Sequence, residues 1–267
     1  MSAICANRSR RLRSGTANST GPLRGVRVLL TRAPAAGHEA SNRLRELGAD
    51  VRELPLIRIG APPDERALAA TARTKFDWLA FASVQGVSAF VRYVDRPQAV
   101  TAKLAAVGPA TARAIHAAFG RPVDLMPASH TGGDLGVALA AAVQPGERVL
   151  LVQALDARPE LLEMLAGAGC DVETVAAYTT LEEPPADLAD AIRETDVIVV
   201  ASGSAVRSLR SGLGDAANSA LSGKTVVCIG PVTAEEARHV GIPVTIVPEK
   251  YSMSGVIDAL IARLGQG

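Results

Sequence analysis

Two short stretches of this chain join a strand-to-helix turn to a threonine. Residues 107–112 read V-G-P-A-T-A and residues 229–234 read I-G-P-V-T-A. Each follows an apolar run and precedes a run with helical spacing, which predicts a β-strand, a Gly-Pro turn and a helix with a threonine in its first turn. A helix start offers unpartnered backbone N–H groups and the positive end of the helix dipole, and a threonine hydroxyl adds an uncharged donor.

These two corners are therefore predicted to bind anions, through Gly108 and Thr111 in the first and Gly230 and Thr233 in the second. Two such corners would suit a ligand with several negative groups. An ordinary strand-to-helix connection, in which the threonine only supports the helix start, has the same sequence and stays open as the alternative.

The rest of the chain repeats in the same order as the two corners. G-V-R-V-L-L at 25–30 returns as G-E-R-V-L-L at 146–151, and G-A-D-V at 48–51 returns as G-C-D-V at 169–172. F-A-S at 81–83 is matched by V-A-S at 200–202. Because each pair is separated by roughly 120 residues, the body is predicted to be two copies of one unit of about that length.

Composition narrows the class of protein. The chain has 48% hydrophobic residues, and no apolar run approaches the roughly 18 residues that a membrane span needs, so no membrane partner is expected. The three cysteines, Cys5, Cys170 and Cys228, lie far apart, which disfavours a zinc site or a disulfide framework and fits a reducing, cytoplasmic location. Beyond the first 22 residues the chain carries 24 basic and 27 acidic residues, and aromatics make up 3% of the whole, which argues against nucleic-acid binding.

The first 22 residues differ from the body in composition. They contain four arginines and no acidic residue, with several serines and asparagines. A disordered tail is the simplest interpretation, and a transit peptide is the competing one.

The chain alternates strand-like and helix-like segments throughout. This pattern predicts an α/β protein of two similar lobes, each with an open parallel sheet flanked by helices. Short strands are expected at 123–126 and 244–247 among others. In such sheets ligands bind beyond the carboxyl ends of the strands, where Arg32, Ser83 and Ser202 also lie. The cleft between the lobes is therefore the predicted site.

The symmetry of the repeat leaves open which pieces share a lobe. Two extended stretches, at 54–59 and 175–180, are equivalent and could pair as a two-stranded connector. If both cross between lobes, the first lobe contains 23–54 and 181–267, linker strands occupy 55–60 and 175–180, and the second lobe contains 61–174. Otherwise the lobes are sequential.

Taken together, these motifs resemble the uroporphyrinogen III synthase family over residues 24–264. They are V-L-L-T-R at 28–32, L-G-A-D-V at 47–51, F-D-W-L-A-F-A-S at 76–83, the two Gly-Pro corners, and A-A-Y-T-T at 176–180. The resemblance implies two α/β lobes joined by a two-stranded ladder, in the crossed arrangement. It also implies a reaction without cofactor or metal, in which hydroxymethylbilane loses water and closes to uroporphyrinogen III with its last pyrrole ring inverted.

The resemblance implies site residues as well. Tyr178 matches the family's tyrosine near the cleft and would be the acid that assists loss of the hydroxyl, although a packing role in the interlobe joint is equally open. The residues expected to donate to substrate carboxylates are Arg32, Ser83, Gly108, Thr111, Ser202, Gly230 and Thr233. Val84-Gln85 and Gly203-Ser204 depart from the family's usual loop starts, which leaves the detail of those loops in doubt.

Two other classes remain open at this point. A two-lobed regulator could bind a tetrapyrrole or another polycarboxylate without converting it, but because no DNA-binding domain follows Leu264, the enzyme is the favoured expectation. A sugar transferase would need a catalytic acid at a strand end, and only Asp156 is so placed, next to Arg158. The four histidines, His38, His116, His130 and His239, have no metal-ligand spacing and are expected to be solvated. A monomer is expected.

Overall fold

The computed structural model describes residues 21–32 and 39–265 of the chain. The predicted N-terminal tail therefore lies almost entirely outside the described residues, as does His38. The described strands are β1 (Arg27–Leu30), β2 (Asp50–Glu53), β3 (Ile57–Gly60), β4 (Trp78–Phe81), β5 (Lys103–Ala106), β6 (Arg148–Ala154), β7 (Asp171–Glu182), β8 (Val197–Val200) and β9 (Thr225–Cys228).

The described helices alternate with these strands. They are α1 (Glu39–Glu46), α2 (Glu65–Thr71), α3 (Val84–Phe90), α4 (Pro109–Phe119), α5 (Gly132–Ala142), α6 (Glu160–Gly167), α7 (Leu188–Arg193), α8 (Gly203–Leu213), α9 (Ala217–Leu221), α10 (Pro231–His239) and α11 (Met253–Leu264). Short 3₁₀ turns occur at Val91–Tyr93, Pro97–Ala99 and Gly214–Ala216. Within the part of the chain described, no helix is long and apolar enough to cross a membrane.

The chain divides into two compact units. Unit 1 contains the residues up to Leu56 and those from Pro184 onward, and unit 2 contains Ile57–Glu183. The sheet of unit 1 has the order β2-β1-β8-β9, and all its strands are parallel. Such a sheet needs helices on both faces, and its strands read accordingly as short apolar runs such as V-I-V-V in β8.

The sheet of unit 2 has the order β3-β7-β6-β4-β5. Strands β7, β6, β4 and β5 are parallel, and β3 pairs antiparallel with the far end of β7, from Ile57 opposite Glu182 to Gly60 opposite Thr179. The near end of β7 pairs with β6, from Asp171 to Tyr178, so the 12-residue strand has two partners in turn. Residues 57–60 and 175–180, which the sequence set apart as linker strands, therefore lie in the sheet of unit 2.

Alternate residues of the unit 2 strands face two separate cores, as a pleated strand requires. On one face Leu79, Phe81 and other strand residues pack with Phe90 of α3 and Phe119 of α4. The Phe81 ring lies 5.7 Å from that of Phe90 and 6.0 Å from that of Phe119. On the other face Trp78 and Ala80 pack with helices α5 and α6. Both cores hold the carboxyl ends of the strands rigidly in place.

In unit 1 one core lies between the sheet and helices α1 and α11. Val28, Leu30, Val197 and Val199 contribute from the strands, and Leu260 from α11 is among the helix residues that cover them. Residues of β8, from Val197 to Val200, are essentially inaccessible to solvent, which fits a central strand covered on both faces.

The two short strands predicted at 123–126 and 244–247 are not strands in the structure. Each is reduced to one parallel bridge, Ala105 to Leu125 in unit 2 and Val227 to Ile246 in unit 1. A proline lies on either side of both stretches, and because proline cannot donate to a sheet ladder, the pairing ends after one bridge.

Candidate functional site

The carboxyl ends of two adjacent strands carry the predicted polar residues in each unit. In unit 2, Ser83 follows β4 and Gly108 follows β5, and the Val107 N–H donates to the Phe81 carbonyl at 3.1 Å, so the two corners are neighbours. In unit 1, Ser202 follows β8 and Gly230 follows β9, and the Ile229 N–H donates to the Val200 carbonyl at 3.0 Å.

Ser83 is the N-cap of helix α3. Its extended backbone (φ −161°, ψ 158°) lets Oγ accept a hydrogen bond from the Gly86 N–H at 3.0 Å. Oγ also lies 2.9 Å from the hydroxyl oxygen of Tyr178 on β7, and either hydroxyl can be the donor. Because the cap bond uses Ser83 as an acceptor, its own proton remains available to Tyr178, whose hydroxyl can then donate elsewhere.

Tyr178 is buried, with about 9% of its surface exposed. Burial raises the pKa of its phenol above the ordinary value of 10.0, the hydrogen bond from Ser83 lowers it, and the charge of Asp156 raises it further. The net pKa shift is upward, so the side chain is a neutral proton donor at pH 7. The structure therefore places Ser83 and Tyr178, which the sequence separates by 95 positions, in one hydrogen-bonded pair.

A cavity of about 500 Å³ in unit 2 has Tyr178 in its wall. The other lining residues are Ile59, Gly60, Ala61, Pro62, Val84, Gln85, Ser88, Ala89, Arg92 and Ala177. All but Arg92 are uncharged. The sequence motifs did not single out Gln85, Ser88 or Arg92 as functional, although the spacings of three and four residues between them could have indicated that they share one surface.

The two Gly-Pro corners begin helices α4 and α10 without a side-chain cap. Gly108 and Gly230 are the N-cap residues, each followed by a proline in the first helical position, and a glycine has no side chain with which to cap its helix. Thr111 and Thr233 are nearly buried in the first turns. The serine corners satisfy one of their own N–H groups through the serine side chain, whereas the Gly-Pro corners have no such cap residue.

Close packing favours glycine at the first corner, whereas the space at the second corner would give a Cβ an ordinary van der Waals contact. The φ values of Gly108 and Gly230, −171° and −166°, are open to any residue. A Cβ at position 108 would lie 3.1 Å from the Cβ of His130, and one at position 230 would lie 3.4 Å from that of Tyr251. The expectation of a solvated His130 is therefore wrong: its ring covers the corner, and its Nδ1 is buried without a hydrogen-bond partner in the described part of the chain.

Ser202 of unit 1 repeats the geometry of Ser83 with different neighbours. It caps α8 with φ −159° and ψ 158°, and Oγ accepts from the Ala205 N–H at 3.2 Å. Its second partner is the hydroxyl of Ser204, 3.1 Å away. On the same helix the Arg207 guanidinium pairs with the Glu236 carboxylate of α10 at 3.2 Å.

Arg32 and a second cavity lie in unit 1. Arg32 lies just after β1, half-buried, at the edge of the described range. A hollow of about 450 Å³ in unit 1 is lined by α7, α8 and α9 residues with Lys224, and it includes none of the predicted site residues. The Lys224 ammonium donates to the carbonyls of Arg193 and Thr195, so its charge is already used within the fold.

Comparisons with known proteins agree on one family. A family model described as uroporphyrinogen-III synthase HemD matches residues 38–258. The chain is 29% identical over 256 residues to a uroporphyrinogen-III synthase of Synechococcus elongatus, covering 90% of this chain and 96% of that relative. It is 28% identical over 257 residues to a porphyrin biosynthesis protein HemD of Ruminiclostridium josui, and spans only half the length of that relative.

Two solved structures share the fold. A mutant uroporphyrinogen III synthase from Thermus thermophilus superposes with a TM-score of 0.60 at 21% identity, covering 90% of this chain and 98% of the other. A uroporphyrinogen-III synthetase from Helicobacter pylori superposes with a TM-score of 0.61 at 16% identity, covering 89% and 99%. Both similarities support the α/β architecture. Because the family model matches most of the sequence, the chain belongs to the uroporphyrinogen-III synthase HemD family.

Proposed function

We propose that this protein converts hydroxymethylbilane to uroporphyrinogen III, with loss of water and inversion of the last pyrrole ring. Family membership supports the reaction. The single structural observation that carries it is the hydroxyl pair of Ser83 and Tyr178, 2.9 Å apart, with Tyr178 in the wall of the unit 2 cavity. A buried, protonated phenol is the type of group that assists departure of a hydroxyl at neutral pH.

In the proposed mechanism Tyr178 gives its proton to the hydroxyl group of the linear tetrapyrrole. The carbon–oxygen bond breaks, water leaves, and the pyrrole nitrogen of the same ring supplies electrons to the carbon that has lost the oxygen. The Ser83 hydroxyl then donates to the phenolate, in accord with its lowering of the Tyr178 pKa. The substituted α-carbon of the last pyrrole attacks the carbon that has lost the oxygen and forms a spiro intermediate. The bond from that α-carbon to its original methylene then breaks, the freed methylene bonds to the other α-carbon of the same ring, and the proton that this second α-carbon loses returns to Tyr178.

The carboxylates of the substrate are proposed to bind at the strand-end corners of both units. Each Gly-Pro corner, with Gly108 and Thr111 or with Gly230 and Thr233, starts a helix that lacks a side-chain cap. Such starts favour negative groups by their dipole and N–H donors. Arg32 and the hydroxyl of Ser202 would add donors in unit 1. A substrate with eight carboxylates needs several such sites to be held in a folded-back shape.

We also propose that the protein is a duplicated unit arranged as two lobes. Under the repeat, strands β2, β1, β8 and β9 of unit 1 correspond to β7, β6, β4 and β5 of unit 2. Both sets have this same order in their sheets. At the amino ends of the sheets, the Arg27 N–H donates to Asp196 and the Arg148 N–H donates to Asp77, at corresponding positions of the repeat. We propose that the two lobes have the crossed arrangement. We also propose that the enzyme is monomeric and cytoplasmic.

The test is the isomer assay. Purified protein is supplied with freshly made hydroxymethylbilane, and the ring isomers of the product are separated by chromatography. The proposal expects the type III isomer in place of the type I ring that forms spontaneously. Product that remains type I at every protein concentration would contradict the proposal and would leave a protein that binds the tetrapyrrole without converting it.

A further inference from the structure

Arg92 is the charged residue of the cavity that holds Tyr178. It lies in the 3₁₀ turn Val91–Tyr93, which continues helix α3, and its side chain shares the cavity wall with Gln85 and Ser88 of that helix. Within the described part of the chain, no carboxylate lies within 4.0 Å of its guanidinium. A full positive charge in the same cavity wall as the buried Tyr178, in a lining that is otherwise uncharged, points to an anionic partner from outside the protein.

The corresponding surface of unit 1 is built differently. Alignment of Ser83 with Ser202 places Ser211 at the position of Arg92, and its hydroxyl donates to the Ser208 carbonyl at 3.1 Å. Helix α8 of unit 1 has two arginines: Arg207 forms an ion pair with Glu236, and Arg210 donates to the Gly214 carbonyl. Unit 1 therefore uses both arginines in contacts within the fold, whereas unit 2 presents Arg92 to its cavity.

We propose that Arg92 binds a side-chain carboxylate of the pyrrole ring that bears the leaving hydroxyl group. The inference rests on the proposed function, because it takes Tyr178 as the donor to that hydroxyl. A cavity of about 500 Å³ is too small for the whole tetrapyrrole but has room for one substituted pyrrole ring. If that ring places its hydroxyl against Tyr178, its acetate or propionate lies within the same cavity, and the arginine fork matches a carboxylate with two hydrogen bonds.

The experiment compares Arg92→Gln and Arg92→Lys with Arg66→Gln as the matched control. Arg66 is an exposed arginine of helix α2 in the same unit, outside the cavity wall. We expect Arg92→Gln to raise KM about tenfold while kcat changes less than about twofold, as loss of a charge-assisted hydrogen bond predicts. Arg92→Lys should keep part of the affinity, because it retains the charge without the fork.

The position of the contact is tested with substrate analogues. In two hydroxymethylbilanes the ring that bears the hydroxyl has either its acetate or its propionate replaced by a methyl or ethyl group. With one of these analogues, Arg92→Gln and wild type should have the same KM, whereas with the other the tenfold difference should persist. A tenfold difference with both analogues would overturn the assignment, as would equal KM values for Arg92→Gln and Arg66→Gln with the natural substrate.

These outcomes separate the inference from the proposed function. If wild type forms the type III isomer and Arg92→Gln behaves like the control, only the role of Arg92 is contradicted. If wild type forms only type I product, the proposed function itself is contradicted. Arg92 is exposed, so equal urea midpoints for the variants and wild type should verify that the fold is unchanged.

Discussion

The serine corners of the two units have the same backbone and different chemistry. Ser83 and Ser202 have φ and ψ values within 2° of each other, and each accepts the N–H of the third residue that follows it. What differs is the second partner: Ser83 bonds to a buried tyrosine of β7, and Ser202 bonds to Ser204, two residues further along its own helix start. The helix cap fixes where the hydroxyl lies, and the adjoining strand or loop decides what that hydroxyl can do.

The charged groups at these corners follow the same division. Unit 1 closes its corner with the Arg207–Glu236 pair, and unit 2 leaves Arg92 facing a cavity. The two units thus have similar serine corners, of which only that of unit 2 places its hydroxyl against a tyrosine in a cavity wall. The proposed assignment of proton transfer to unit 2 is open to two direct tests, and a third comparison concerns the amino ends of the sheets.

The largest effect is expected for Tyr178→Phe. Removal of the phenol hydroxyl deletes the proposed acid and leaves the ring to fill its buried site, so kcat should fall about a hundredfold with a nearly unchanged urea midpoint. Single-turnover measurement of type III product formation gives the rate.

The control for this variant is Tyr93→Phe. Tyr93 belongs to the same unit, and its hydroxyl donates to Glu65 at 2.7 Å. Its loss should leave kcat within about twofold of wild type, since the proposed mechanism does not use it. A Tyr178→Phe variant with wild-type kcat would return Tyr178 to a packing role.

A smaller effect is expected for the pair Ser83→Ala and Ser202→Ala. Each removes one N-cap bond, so each should lower the free energy of unfolding by about 1 kcal/mol. Only Ser83→Ala also removes the partner of Tyr178, so its kcat should fall about tenfold while that of Ser202→Ala changes little. Urea unfolding and steady-state kinetics on both variants measure the two quantities, and equal kcat losses would show that the corners do not differ as proposed.

The smallest effect is expected at the amino ends of the sheets. The pKa of Asp196 is lowered below its ordinary value of 3.8, chiefly by the side-chain hydrogen bond from Arg27. A lowered carboxylate pKa stabilises the fold above pH 3.8, and this stabilisation is lost as the pH falls through the lowered pKa. Asp196→Asn should therefore reduce the free energy of unfolding by about 1 kcal/mol at pH 7, and by less at each step below pH 4.

Asp77 offers the comparison in unit 2. Among the described residues, its carboxylate accepts one hydrogen bond, from the Arg148 N–H at 2.8 Å, whereas Asp196 accepts three from Arg27. Asp77→Asn should consequently be less destabilising than Asp196→Asn when urea midpoints are measured at pH 7. A larger loss for Asp77→Asn would contradict this difference between the units.

The α/β class and most helix and strand positions could be predicted from the sequence. Apolar runs such as those of β6 and β8 are long enough, and sufficiently bounded by turn residues, to be identified as buried strands. The extent of strand pairing around Leu125 and Ile246 could not be predicted from the sequence. The flanking prolines limit this pairing according to the register with the neighbouring strand, and only the structure gives that register.

The candidate site was predictable in its parts and not in its contacts. The serine and Gly-Pro corners follow from local signals, but the Ser83–Tyr178 bond depends on the register of β7 against β6, which includes an irregularity beside Ala154. The ring of His130 over Gly108 was missed for a different reason. His130 and Tyr251 occupy equivalent positions of the repeat. The sequence does not show, however, that each of these rings lies against the glycine of a Gly-Pro corner, which only the fold brings about.

The paired ends of unit 2 have a consequence for biogenesis. Ile57 and Glu182, at the two borders of this unit, face each other across the β3–β7 ladder, so the segment between them begins and finishes at one place. The ribosome makes this whole segment before it makes β8, which is a sheet neighbour of the earlier-made β1. The middle of the polypeptide can thus mature first, and the N-terminal strands must wait for the last third of translation to be enclosed.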